Sequence, residues 1–256
     1  MNMNTNPTTK LYYENQYQKS CKARLIEATE SALILDRTVF FPEGGGQESD
    51  HGWIRIDGKT LRISNARLID AREIDLEGFQ GGKSGGVIIH EVHPDDTRLI
   101  NDLDLNSHAE AEIDINRRQK LTLSHSASHL LFVAAMDVRA SLKGSTIGCH
   151  IKEDSARFDF MTHAFTPCDI RKIEDLANQM ANSRTPMTVE SHPCNAEARI
   201  WVFGDKRIPC GGTHLDSPED IGKIKVKRRG IGKGKERITC TFEEAVIRTE
   251  KYHEIS

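Results

Sequence analysis

Two short pairs of metal-ligating residues constrain this chain more than anything else in it. His125 and His129 stand four apart in His-Ser-Ala-Ser-His, and Cys210 and His214 stand four apart in Cys-Gly-Gly-Thr-His. Residues i and i+4 share a helix face, so the first pair can aim both imidazoles at one point. The two glycines of the second pair allow a tight turn with unusual backbone angles, which can aim a thiolate and an imidazole together. Jointly the pairs supply one thiolate and three imidazoles, a donor set suited to tetrahedral zinc. They lie far apart in the chain, so the fold must join a helix to a distant turn. Ser126 stands where a His-Glu-x-x-His metalloprotease carries its glutamate, so the proteolytic base is missing.

The other histidines show no paired spacing, and the six cysteines (Cys21, Cys149, Cys168, Cys194, Cys210 and Cys240) are widely and irregularly spaced. Met1 to Thr9 has no apolar core and no basic region, so it does not read as a secretory signal. No run of about 18 apolar residues reads as a membrane span. Free thiols in a reducing, cytoplasmic compartment are the expectation.

A length of 256 residues allows two modest domains. Residues 1–9 are polar and read as a disordered tail. Residues 10–105 carry short strand-like runs at Ala23–Ile26, Ala32–Asp36, Trp53–Ile56, Leu61–Leu68 and Val87–Val92, separated by glycine-rich turns. That pattern predicts a small antiparallel β-barrel. His93 to Ser107 reads as the boundary. Residues 106–256 alternate as a strand over Ala109–Ile115, then take a helical pattern from Arg117 to Val138. A hairpin is expected over Ser145–Ile151 and Ala156–Phe160, and a helix N-capped by Asp169. Strands near Thr188–Ser191, Arg207–Pro209, Gly222–Lys227 and Glu236–Phe242 complete an α+β unit.

The net charge of −3 hides an asymmetry. Residues 1–105 hold 12 Lys+Arg against 17 Asp+Glu, and residues 106–256 hold 23 against 21. The basic excess concentrates in Lys223, Lys225, Lys227, Arg228, Arg229, Lys233, Lys235 and Arg237, with Glu236 the one acid among them. A stripe this dense can bind phosphates. The bland alternative is a solvated strand face beside a flexible loop.

These motifs resemble the alanyl-tRNA editing family, which comprises the editing domain of alanyl-tRNA synthetase and its free-standing AlaX-type relatives. The matching text is HSASHLL at 125–131, ARFDF at 156–160 and PCGGTHLDSPEDIGKIKV at 209–226. LDRTVFFPEGGGQESDHGWI at 35–54 resembles the glycine-rich segment of the barrel that precedes the editing fold. The resemblance implies a barrel followed by a two-layer α/β editing domain of the threonyl/alanyl-tRNA synthetase type. It implies one zinc ion on His125, His129, Cys210 and His214. It also implies trans-hydrolysis of the ester in tRNA(Ala) mischarged with serine, with glycine as a further substrate, and no DNA or membrane partner. Gly211, Gly212 and Thr213 are candidates to hold the substrate, and Ser145, Thr146 and Thr213 to read the serine hydroxyl. Gly44, Gly45, Gly46 and Gln47 are expected to form a tight loop beside the tRNA acceptor end or the domain interface. Lys223, Lys225, Lys227, Lys233 and Lys235 are candidate tRNA contacts. A zinc hydrolase of small amino-acid esters or amides, or a structural-zinc RNA-binding module, are the rival readings.

Overall fold

In the computed structural model, which describes residues 6–79 and 81–254, the alternating apolar residues of the first half close into a barrel. Its strands are β1 (Gln18–Ala28), β2 (Ala32–Leu35), β3 (Gly52–Ile56), β4 (Lys59–Ile69), β5 (Val87–Val92) and β6 (His108–Ile113). They pair antiparallel in the order β6-β3-β4-β5-β2-β1, and β6 returns to pair with β1. Leu25, Leu33, Ile54, Leu61, Ile63, Ile88 and Ala111 fill the interior. Closure removes the sheet edges that an open sheet of this size would expose.

Two expectations are corrected here. The strand assigned to the second unit, β6, closes the barrel instead, because Ala109, Ala111 and Ile113 face the barrel core. The change of unit therefore falls at Asp114, not at residue 105. The expected tail is ordered from Thr8: its hydroxyl donates to Leu35 O (3.2 Å) and accepts from Ile88 N (3.0 Å), and Thr9–Lys10 pairs parallel with Arg37–Thr38. Residues 1–5 of that tail lie outside the described residues.

The second unit is built around α1 (Ile115–Val138). Asp114 caps it by accepting from the Asn116 and Arg117 N–H groups. From Arg118 to Leu131 every residue of α1 except Lys120 is buried, because the helix runs between the barrel and a four-stranded antiparallel sheet. That sheet is β7 (Thr146–Ile151), β8 (Ser155–Met161), β12 (Lys223–Gly232) and β13 (Lys235–Glu243), in the order β7-β8-β13-β12. Between them in the chain come α2 (Pro167–Ala181) and a second sheet of β9 (Met187–His192), β10 (Asn195–Phe203) and β11 (Lys206–Pro209). The core joins Leu130, Leu131, Phe160, Ile173, Trp201, Ile224 and Ile238.

The N-cap of α2 is Thr166, not Asp169. Thr166 Oγ1 accepts from Asp169 N (3.1 Å) and the Asp169 carboxylate accepts from Thr166 N (2.8 Å), a capping box with Asp169 at its third helical position. Residues 230–236 form the turn end of the β12–β13 hairpin, with a register shift between Gly230 and Gly232. No helix among the described residues is long and apolar enough to cross a membrane.

Candidate metal centre

His125 and His129 lie one turn apart on α1, with their rings stacked at 5.0 Å between centroids. The Cys210–His214 loop follows β11 and lies across them. The donor atoms of His125, His129, Cys210 and His214 all lie within 4.8 Å of one another. Cys210 Sγ stands 3.3 Å from His125 Nε2, and His129 Nε2 stands 3.1 Å from His214 Nε2. Around a zinc ion with Zn–N near 2.05 Å, tetrahedral geometry puts nitrogen donors about 3.3 Å apart. The donor set and its spacing fit zinc.

The electrostatics fit as well. Burial lowers the His125 pKa to about 3 and holds His129 and His214 well below the ordinary imidazole range, where their neighbouring rings add to the effect. Neutral imidazoles are the ligating form. Burial pushes the Cys210 thiol up to about 12, with the Gly212 N–H opposing. A cation at the centre would reverse that and favour the thiolate.

Each ligand is held from behind. The ring of His129 stacks on the buried Trp201 indole at 4.6 Å. Ser126 Oγ accepts from Leu215 N (2.8 Å) and donates to Thr122 O (2.9 Å), which ties the ligand loop to the helix. Gln16, ahead of β1, accepts from His214 N (2.9 Å) and donates to His214 O (2.6 Å). Gln47 Oε1 accepts from His125 Nδ1 (2.6 Å) and from Thr213 N (3.2 Å), while its Nε2 donates to Thr213 Oγ1 (3.1 Å). Thr122 Oγ1 donates to the same Thr213 hydroxyl at 2.8 Å.

The glycines of the ligand loop act differently from the expectation. Neither Gly211 nor Gly212 has a positive φ. Their lack of a side chain serves close approach: a Cβ on Gly212 would come within 2.1 Å of His125 Cε1, and one on Gly211 within 2.9 Å of the Tyr13 hydroxyl.

A cleft of about 480 Å³ opens between the barrel and the second unit. His125, His129 and Cys210 form part of its wall together with Gly44, Gly45, Gly211 and Gly212, and Tyr13, Phe41 and Ile74 add apolar surface. The expected substrate residues divide. Gly211 and Gly212 reach the cleft. Thr213 is buried with its hydroxyl committed to Gln47 and Thr122. Ser145 and Thr146 are absent from the cleft wall, because they lie at the far end of β7 from Cys149, and Ser145 Oγ is bonded to Leu142 O (2.7 Å).

The expected tRNA residues divide too. Gly44 and Gly45 face the cleft, Gly46 presses on Cys149, and Gln47 has no exposed surface with which to meet a tRNA. Lys223, Lys225 and Lys227 alternate along β12 with the buried Ile224 and Val226, so they share the outer face of the sheet. Lys233 lies in the hairpin turn and Lys235 directly follows it, and both are exposed. Arg228 and Arg237 of the same stripe are instead committed to Glu236 and Asp159.

Sequence reasoning does not find Gln16, nor the pair Arg118–Asp50. Arg118 and Asp50 have no side-chain exposure and meet at 2.5 Å, with Arg118 also donating to Gln16 O and Val39 O at 2.7 Å each. This pair joins the first turns of α1 to the loop that carries Gly44–Gln47. Arg118 stands in the polar run Asn116-Arg117-Arg118-Gln119-Lys120, so no local signal sets it apart.

The family described as tRNA synthetases class II (A) matches residues 3–82. An alanine–tRNA ligase of Metallosphaera sedula is 29% identical over 86% of this chain, which spans 24% of that protein. One from Ignicoccus hospitalis is 30% identical over 86%, again spanning 24% of its length. The chain thus spans about a quarter of these ligases. The alanyl-tRNA editing protein AlaX-M of Pyrococcus horikoshii is 30% identical over 93% of this chain and 99% of its own length. A barrel joined to a His/His/Cys/His centre, together with this match over 93% of the chain, places the chain in the alanyl-tRNA editing family of AlaX-type proteins.

Proposed function

We propose that this protein is a cytoplasmic, trans-acting deacylase that hydrolyses the ester of tRNA(Ala) mischarged with serine, and with glycine as a further substrate. The observation that carries the reading is the opening of three of the four donor residues onto a cleft. A purely structural zinc would have no need of a cleft against its ligands. A zinc ion held by His125, His129, Cys210 and His214 would supply Lewis-acid polarisation of the ester carbonyl and of water.

The chain's own residues do the rest. Tyr13, Phe41 and Ile74 provide apolar surface for the terminal nucleoside. Gly44, Gly45, Gly211 and Gly212 let the ester approach the backbone closely. A site that hydrogen-bonds the serine hydroxyl leaves its own buried polar groups unpaired with alanine, which discriminates by about 10⁴. Lys223, Lys225, Lys227, Lys233 and Lys235 have no carboxylate partner among the described residues and bind tRNA phosphates. β12 lies three strands from β7, the cleft strand, or about 14 Å across the sheet. The lysines therefore meet the acceptor stem rather than its terminal nucleotide.

The test is to replace His129 or Cys210 by alanine and assay bound zinc and deacylation in the same samples. Both should fall together, deacylation by at least about 100-fold. Full activity in a metal-free variant would overturn the reading.

A further inference from the structure

We propose that Gln47 is a positioning residue of the metal centre, through which the barrel fixes the tautomer of His125 and holds the ligand loop against it. This rests on the reading that the four donors hold zinc.

A neutral imidazole carries one N–H, and whatever bonds one ring nitrogen decides the state of the other. Gln47 Oε1 lies 2.6 Å from His125 Nδ1. The amide's orientation is set by its other neighbours. Its Oε1 also faces the Thr213 N–H, which can only donate, and its Nε2 faces Thr213 Oγ1. An amide turned the other way would set its NH₂ against that N–H. The oxygen therefore accepts from His125 Nδ1–H, which leaves the Nε2 lone pair facing the centre beside Cys210 Sγ.

The glycines before Gln47 make this possible. Gly45 and Gly46 take φ values of 58° and 87°, and Gly44 and Gln47 exchange two backbone hydrogen bonds (3.1 and 3.0 Å). The loop then lies flat on β7: a Cβ on Gly46 would meet Cys149 Sγ at 2.7 Å. Gln47 is thereby turned inward with no exposed surface. A Cβ on Gly212 would also come within 3.0 Å of Gln47 Oε1. Glycine loop, glutamine and ligand loop thus form one packed unit made from both halves of the chain.

The test measures zinc affinity of the full chain by competition with a chelator, for wild type, Gln47→Met and Gln47→Glu. Loss of a hydrogen bond behind a ligating histidine weakens metal binding by about 10–100-fold, and Gln47→Met should do so. Gln47→Glu keeps an acceptor for Nδ1–H and should weaken binding clearly less than Gln47→Met. Wild-type affinity in Gln47→Met, or equal weakening in both variants, would overturn the proposal, since equal weakening is what a packing role produces. Independently of how the variants fold, ¹⁵N NMR of the metal-free wild-type protein should show His125 with its proton on Nδ1. A proton on Nε2 would overturn the proposal. A wild-type chain that binds no zinc would defeat the functional reading instead, and the tautomer spectrum would still decide the role of Gln47.

Discussion

Asp50 and Arg118 show how much of this molecule hangs on single side chains. Both are fully buried, and Asp50 also accepts from Phe41 N (2.6 Å), so every strong donor around the carboxylate is used. Removing one charge leaves the other buried without compensation, which costs about 3–5 kcal/mol. Asp50→Asn should lower the stability of the folded chain by that amount in urea unfolding. A change below about 1 kcal/mol would show that solvent reaches Arg118. At this scale the sequence displays the four metal donors plainly, because their spacing is local and their chemistry is rare. It conceals Gln16 and Gln47 as supports. Glutamine is common on surfaces, and only the approach of two distant loops gives these two their partners.

Among the elements, the barrel offers a pH-dependent test. His90 on β5 is buried, with its Nδ1 bonded to Leu33 O of β2 (3.1 Å) and its Nε2 to the Thr38 hydroxyl (2.8 Å). Burial lowers its pKa to about 4. The unfolded chain, with a histidine pKa near 6.5, binds a proton there that the folded barrel refuses. Stability is therefore full above pH 6.5 and declines by roughly 3 kcal/mol as pH falls toward 4. Urea midpoints at pH 7 and pH 5 should differ more for wild type than for His90→Gln, and equal differences would contradict the account. Most elements are legible where apolar residues keep a clean period, as in β3, β5 and β12. β10 is hidden because the apolar positions of its first half are only the small Ala196 and Ala198, although Trp201 and Phe203 anchor it in the core. β6 reads as a strand but its unit does not, since alternation fixes which face is buried and not which sheet it joins. The edge strand β12 is covered by α2: Asn178 bonds both polar groups of the Ile224 backbone, and Glu174 accepts from Val226 N. That blocks further strand pairing and leaves the lysine face free.

Across the whole molecule, the barrel and the second unit are interlocked rather than strung in series. Lys10 pairs with Glu197 of β10 (2.5 Å), Tyr17 donates to Asp216 (2.6 Å), and His253–Glu254 pairs parallel with β1. The metal donors come from the second unit, and two of their supports, Gln16 and Gln47, reach them from the barrel side. On the proposed function, the acceptor stem of a tRNA whose end entered the cleft would pass the basic face of β12. Reversing Lys225, Lys227 and Lys233 to glutamate should weaken tRNA binding with the fold unchanged. The salt dependence of binding should become shallower by roughly one unit of slope for each phosphate that is no longer neutralised. Unchanged affinity at low salt would remove this face from the account. The most direct measurement is hydrolysis of Ser-tRNA(Ala), Gly-tRNA(Ala) and Ala-tRNA(Ala) side by side, with zinc quantified in the same sample. The account predicts rapid loss of serine, sparing of alanine and about one zinc per chain. Zinc bound with none of the three esters hydrolysed would contradict it.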